Sequence, residues 1–157
     1  MIVPPVLLSL HFRQETFFVT LWGRAFASSN SPDLLDDQES LRIVNETEYD
    51  FGKISDSKEY YNLSSAVRAA NFDRENKEYL TQYPEARIVS IGSGLDTTFF
   101  RGDNRKLFWY DPDLTKIMEL RRNYIGFNGR FMRSHNPVLN IAGWMRLIAQ
   151  KDFCLHT

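Results

Sequence analysis

The sequence predicts an α/β protein built on a parallel sheet, and three observations carry that prediction. The apolar, β-branched run Arg87-Ile88-Val89-Ser90-Ile91 ends in Gly92-Ser93-Gly94, as a buried parallel strand does when it stops at a tight turn. A second run, Lys106-Leu107-Phe108-Trp109-Tyr110, ends in Asp111-Pro112-Asp113 and leads into a helical pattern. Strand and helix signals alternate from there on, the mark of parallel strands joined by right-handed crossovers.

Taken in order, Gln14 to Ala27 reads as a helix, because Phe17, Phe18, Leu21, Trp22 and Ala25 recur on one face. Ser28-Ser29-Asn30-Ser31-Pro32-Asp33 reads as a loop on its turn residues. A short helix is expected over Asp37 to Asn45, then an irregular stretch through Tyr49-Asp50-Phe51-Gly52. A longer helix should run from Ser57 to about Gln82, with Leu63, Ala66, Val67 and Ala70 at helical spacing and Pro84 as its stop signal. After the first strand, a short helix is expected around Thr97 to Arg101. After the second, a helix spans Leu114 to Tyr124, with Leu114, Ile117 and Met118 facing one way. Arg130-Phe131-Met132 reads as a third strand, Ile141 to Gln150 as a helix and Phe153-Cys154-Leu155 as the opening of a fourth strand.

The 157 residues suffice for a real core, and 43% hydrophobic with 25% charged residues is ordinary for a globular chain. A net charge of −1 gives no basic excess that would point to nucleic acid or an anionic membrane. One cysteine, Cys154, leaves no intrachain disulfide framework and reads as a buried structural thiol. His11, His135 and His156 show no metal-ligand spacing. The opening Val3-Pro4-Pro5-Val6-Leu7-Leu8-Ser9-Leu10 lacks the positive start and clean cleavage site of a signal peptide, so a cytoplasmic protein is expected.

Glycine at the end of one strand and acid at the end of the next form half of a nucleotide-type site. Gly92 and Gly94 let the backbone take positive φ and come close to a ligand; the alternative is a tight turn with no ligand. A dinucleotide fingerprint would place a third glycine where Thr97 stands, packing a helix against pyrophosphate. Its absence favours a nucleoside cofactor such as S-adenosylmethionine over NAD. Asp111 and Asp113 offer carboxylates that accept both ribose hydroxyls, and Asp113 alternatively caps the helix that follows. Arg68, amid Ala66, Val67, Ala69 and Ala70, would be costly to bury without an anion, either a ligand carboxylate or a structural acid. Arg121 and Arg122 read as a solvated helix end.

The stretch Ser65-Ala66-Val67-Arg68-Ala69-Ala70-Asn71-Phe72-Asp73, then Val89 to Arg101, Trp109-Tyr110-Asp111-Pro112-Asp113-Leu114 and Glu119-Leu120-Arg121-Arg122 together resemble the leucine carboxyl methyltransferase family. The likeness is to its bacterial and archaeal branch, similar to polyketide O-methyltransferases. Glu15-Thr16-Phe17, Leu21-Trp22-Gly23-Arg24-Ala25 and Leu34-Leu35-Asp36-Asp37 look like the same branch, so the resemblance covers roughly residues 13 to 133. It implies a class I methyltransferase with a Rossmann-like parallel sheet, S-adenosylmethionine as donor, a helical amino-terminal cap over 1–56 and a cofactor domain over 57–157. By position it implies cofactor contacts from Gly92 and Asp113, with Asp111 its neighbour in the same motif, and Gly94 joins them on the glycine-turn reading. Arg68 would pair with the cofactor's carboxylate, and Arg24 would stand near that carboxylate too.

The family's adenine contact after the third strand falls nearest Asn140, with Trp144 resembling a family tryptophan just beyond. Family members then continue through a Glu-Gly motif and the elements of the acceptor pocket. The sheet is therefore expected to be incomplete, the amino-terminal half of the fold. The implied activity is methyl transfer to a carboxylate or hydroxyl of a small-molecule or polyketide-like acceptor, or of a protein carboxyl terminus. The alternative is an inactive fragment retaining at most weak cofactor binding. No residue qualifies as a general base, and no metal is called for.

Overall fold

The computed structural model describes residues 5–55, 59–125, 131–132 and 153–156, with side chains at 16–54, 63–114 and 116–125. The chain divides into two units, Met1–Asn71 and Phe72–Thr157. Among the described residues no helix is long and apolar enough to cross a membrane.

The first unit is helical. Helix α1 covers Pro5–Asn30, starting earlier and ending later than the apolar periodicity predicts. Pro5 fits at its first position because a proline lacks only an N–H that would be unpaired there anyway. Ser28 and Asn30, expected in a loop, complete the helix instead. Ser28 Oγ donates to the Arg24 carbonyl at 2.9 Å and Asn30 Nδ2 to that of Phe26 at 2.8 Å. Helix α2 (Gln38–Glu46) packs on α1. Asp37 caps it, accepting the Ser40 N–H at 3.0 Å. The expected irregular stretch closes in one helical turn, α3 (Gly52–Ser55), where the Gly52 N–H donates to Asp50 Oδ1 at 3.1 Å. Phe18 stacks on Tyr49 with centroids 4.3 Å apart, and Trp22 on Phe51 at 5.3 Å, fixing this turn against α1.

Helix α4 spans Glu59–Gln82 and crosses the division between the units. Its buried face matches the expected one at Ala66 and Ala70 but not at Leu63 and Val67. Ala66 and Ala69 are buried with Ala27 and Leu35, whereas Leu63 and Val67 are 57% and 40% exposed. Small side chains let the backbones approach, and the larger pair is displaced to the outside.

The second unit holds a four-stranded parallel sheet, formed by β1 (Arg87–Ser90), β2 (Phe108–Tyr110), β3 (Phe131–Met132) and β4 (Phe153–His156). Their order is β3-β2-β1-β4. Ile88 aligns with Trp109 of β2 on one side and Cys154 of β4 on the other. The order thus reverses at β1, and ligands of open α/β sheets bind at the carboxyl ends of strands where this happens. Helix α5 (Thr98–Gly102) follows β1 and α6 (Thr115–Tyr124) follows β2. Ile88, Val89, Phe99, Leu107, Trp109, Ile117, Met118 and Ile125 supply the unit's buried apolar core. The expected helix over Ile141 to Gln150 and the loop around His135 lie outside the described residues, as do the side chains of Cys154, His11 and His156.

Candidate functional site

At the carboxyl ends of β1 and β2 two turns are stitched together. Buried strand residues carry the chain out to Gly92 and Gly94, which adopt φ of 68° and 50°. These are conformations that L side chains rarely hold. A Cβ built at Gly92 would meet nothing within 4 Å, so the space beside that backbone is open. The Gly92 N–H donates to the Pro112 carbonyl at 3.1 Å, tying the glycine turn to Asp111-Pro112-Asp113.

Asp113 is the second stitch. Its Oδ2 accepts the Gly94 N–H at 2.8 Å and its Oδ1 the Leu114 N–H at 2.7 Å. The helix-capping alternative is replaced: α6 starts at Thr115, its N-cap residue is Leu114, and Asp113 serves the turn. The side chain is half-buried. With one of these bonds on each oxygen, a carboxylate keeps acceptor capacity on both. Ile91 and Leu114, beside the two turns in sequence, are 46% and 47% exposed, so the same edge carries uncovered apolar surface. Ser93, between the glycines, buries a hydroxyl that finds no hydrogen-bond partner among the described residues.

Asp111 plays another part than the sequence reading gives it. It is fully buried, with Oδ1 accepting the Trp109 Nε1–H at 2.7 Å and Oδ2 bound by Arg121. Burial pushes its carboxyl up to about 6, and Asp96 adds to the rise, while Arg121 pulls the other way. Asp111 shapes the turn from within, and Asp113 is the carboxylate of the two that the edge presents.

Arg121 is the residue at this edge that the sequence reading missed. Expected as a solvated helix end, it is 1% exposed, and its Nη1 donates to the Gly94 carbonyl at 2.8 Å. The signal was available: Ile117, Met118, Arg121 and Ile125 recur at helical spacing, which puts Arg121 on the buried face of α6.

Thr97, which stands in for the third glycine of a dinucleotide motif, is fully buried, and its Oγ1 accepts from Arg101 Nη1 at 2.8 Å. Arg101 in turn grips Asp73 through Nε to Oδ2 at 2.6 Å and Nη2 to Oδ1 at 3.0 Å. That bidentate pair joins α5 to the second half of α4. Asp73 and Arg101 both belong to the motifs read from the sequence, but their pairing was not legible there.

Gly92, Gly94, Asp111 and Asp113 are thus brought together in the second unit. Arg24 and Arg68 belong to the first. Arg24, expected near a ligand carboxylate, is 6% exposed and committed to Asp37, with Nε to Oδ2 at 3.2 Å and to Ser40 Oγ at 3.3 Å. Asp37 also donates its backbone N–H to Ser28 Oγ at 2.7 Å, so Arg24 locks α1 to the start of α2. Arg68 is exposed on α4, so the expected burial cost does not arise. Asn140 and Trp144 lie outside the described residues.

No protein-family model matches the chain, and no solved structure does. Among curated proteins, the chain is 28% identical over 108 residues to the tetracenomycin polyketide synthesis O-methyltransferase TcmP of Streptomyces glaucescens, covering 68% of this chain and 40% of that one. It is 30% identical over 149 residues to the S-adenosyl-L-methionine-dependent methyltransferase dpfgK of Gibberella zeae, covering 85% of this chain and 49% of that one. The chain spans less than half the length of either relative.

Proposed function

We propose that the edge formed by the glycine turn and Asp113 binds S-adenosylmethionine, within a Rossmann-like methyltransferase sheet, and serves methyl transfer to an oxygen acceptor. The observation that carries this reading is Asp113. It is a half-buried carboxylate clasped to the Gly94 N–H, with acceptor capacity left on both oxygens, beside the strand at which the order reverses. The names of both relatives support methyl transfer, that of TcmP supports an oxygen acceptor, and that of dpfgK supports the donor.

The residues present fit such a group. Asp113 would accept the ribose hydroxyls, the open space at Gly92 admits a nucleoside against bare backbone, and Ile91 and Leu114 offer apolar surface to its flat faces. Thr97 occupies the place where a pyrophosphate site needs glycine, and its hydroxyl is spent on Arg101, which disfavours a dinucleotide. The resemblance in sequence assigns the donor's carboxylate to Arg68. When bound, the sulfonium supplies an electrophilic methyl with a neutral thioether as leaving group. The chain's task is alignment and exclusion of water rather than acid–base work. A carboxylate acceptor needs no general base, and neither Asp111 nor Arg121, buried and paired with each other, is placed to act as one. The name of TcmP favours a polyketide-like acceptor over a protein terminus, and the kinship to the leucine carboxyl methyltransferase branch is part of the same proposal.

Binding and transfer are separable predictions, since the chain spans less than half of each relative. Titration calorimetry with S-adenosylmethionine should show binding that Asp113→Ala and Arg68→Ala each weaken by more than about tenfold, since each removes a charge-assisted contact. Near-unchanged affinity in Asp113→Ala would sink the site. Binding without transfer of labelled methyl to any acceptor would favour the second reading, a donor-binding segment without activity of its own.

A further inference from the structure

We propose that Arg121 is a positioning residue for this edge: from α6 it holds the Gly94 carbonyl and so sets the glycine turn in the shape that a nucleoside meets. The inference rests on the donor-site reading above. Gly94 is bound on both sides, its N–H by Asp113 and its carbonyl by Arg121 Nη1 at 2.8 Å. Arg121 Nη2 binds Asp111, which Trp109 anchors at 2.7 Å, and Pro112 connects Asp111 back to Asp113. Gly94, Arg121, Asp111, Pro112 and Asp113 therefore close a ring, and slack at Arg121 reaches the carboxylate that would hold the ribose.

Stability alone does not call for this arrangement. Both charges are essentially fully buried, at 1% and 0% exposed, and a buried ion pair is often no better for stability than apolar side chains of similar volume. What an apolar pair cannot do is fix a backbone carbonyl at a positive-φ glycine. A lysine would bring one compact charge in place of a planar fork that donates in two directions.

The test compares the wild-type chain with the double variant Asp111→Leu/Arg121→Met, which leaves neither charge unpaired, and with Arg121→Lys should the double variant not fold. Amide hydrogen exchange in the absence of ligand should be at least about tenfold faster at Gly94 in the variant, with Val89 in β1 unchanged. Affinity for S-adenosylhomocysteine, by calorimetry, should fall about tenfold or more while the melting temperature is held. A folded variant with wild-type exchange at Gly94 and wild-type affinity overturns the proposal. So does a loss of affinity that merely tracks a loss of melting temperature. If the wild-type chain itself binds no S-adenosylhomocysteine, the donor reading fails, and the exchange measurement still decides whether Arg121 holds the turn.

Discussion

Asp111 has a carboxyl raised to about 6 against an unfolded-state value near 3.8, because burial outweighs its bond from Arg121. The sign follows from linkage: between those two values the folded state holds a proton that the unfolded chain has lost. The contribution of this group is therefore fully present in acid and is lost as pH rises through about 6, opposite to an exposed salt-bridged acid. Asp111→Asn cannot titrate, so its melting temperature should lie further below wild type at pH 4.5 than at pH 7.5. A constant gap across that range would show the carboxyl to be unperturbed. At this scale Gly92, Gly94 and Asp113 were legible because backbone freedom and a carboxylate are properties of residue type. The division of labour between Asp111 and Asp113 was not, since two acids separated by one proline look alike until Trp109 and Arg121 claim one of them.

The elements repeat that contrast. The periodicity of α4 offered Leu63, Ala66, Val67 and Ala70 as one face; Ala66 and Ala70 do join Ala69 against Ala27 and Leu35, yet Leu63 and Val67 stay outside. Hydrophobicity alone ranks leucine above alanine, but close approach of two backbones ranks them the other way. Ala66→Leu should thus cost about 1–3 kcal/mol by overpacking. Leu63→Ala should stay within about 0.5 kcal/mol, as at most surface sites. Chemical denaturation of the two variants checks both, and equal losses would return Leu63 to the core. Strand positions were readable to within a residue or two, because β1 and β2 are short apolar runs bounded by glycine and proline turns. The reach of α1 was less so: Ser28 and Asn30 carry turn-forming side chains, and their bonds back to helical carbonyls convert them into the last turn.

For the whole molecule, the parallel sheet and the switch in strand order at β1 give the second unit its centre. β1 is hydrogen-bonded on both sides, by β2 and by β4, and Ile88 and Val89 are fully buried. Its amides should exchange most slowly of all, slower than those of α2 or α5; faster exchange at Ile88 than at Ile43 of α2 would place the most stable region elsewhere. The α/β class was legible in the alternation of strand and helix signals, whereas the strand order depends on pairings between distant segments that no local pattern encodes. Those pairings also differ in closure cost. β2 meets β1 after a single short helix, whereas β4 meets it only after a loop about three times longer has closed, an added entropic cost of roughly 1 kcal/mol. Loop closure thus favours the pairing that joins the glycine turn to the Asp113 turn over the pairing that adds the far edge.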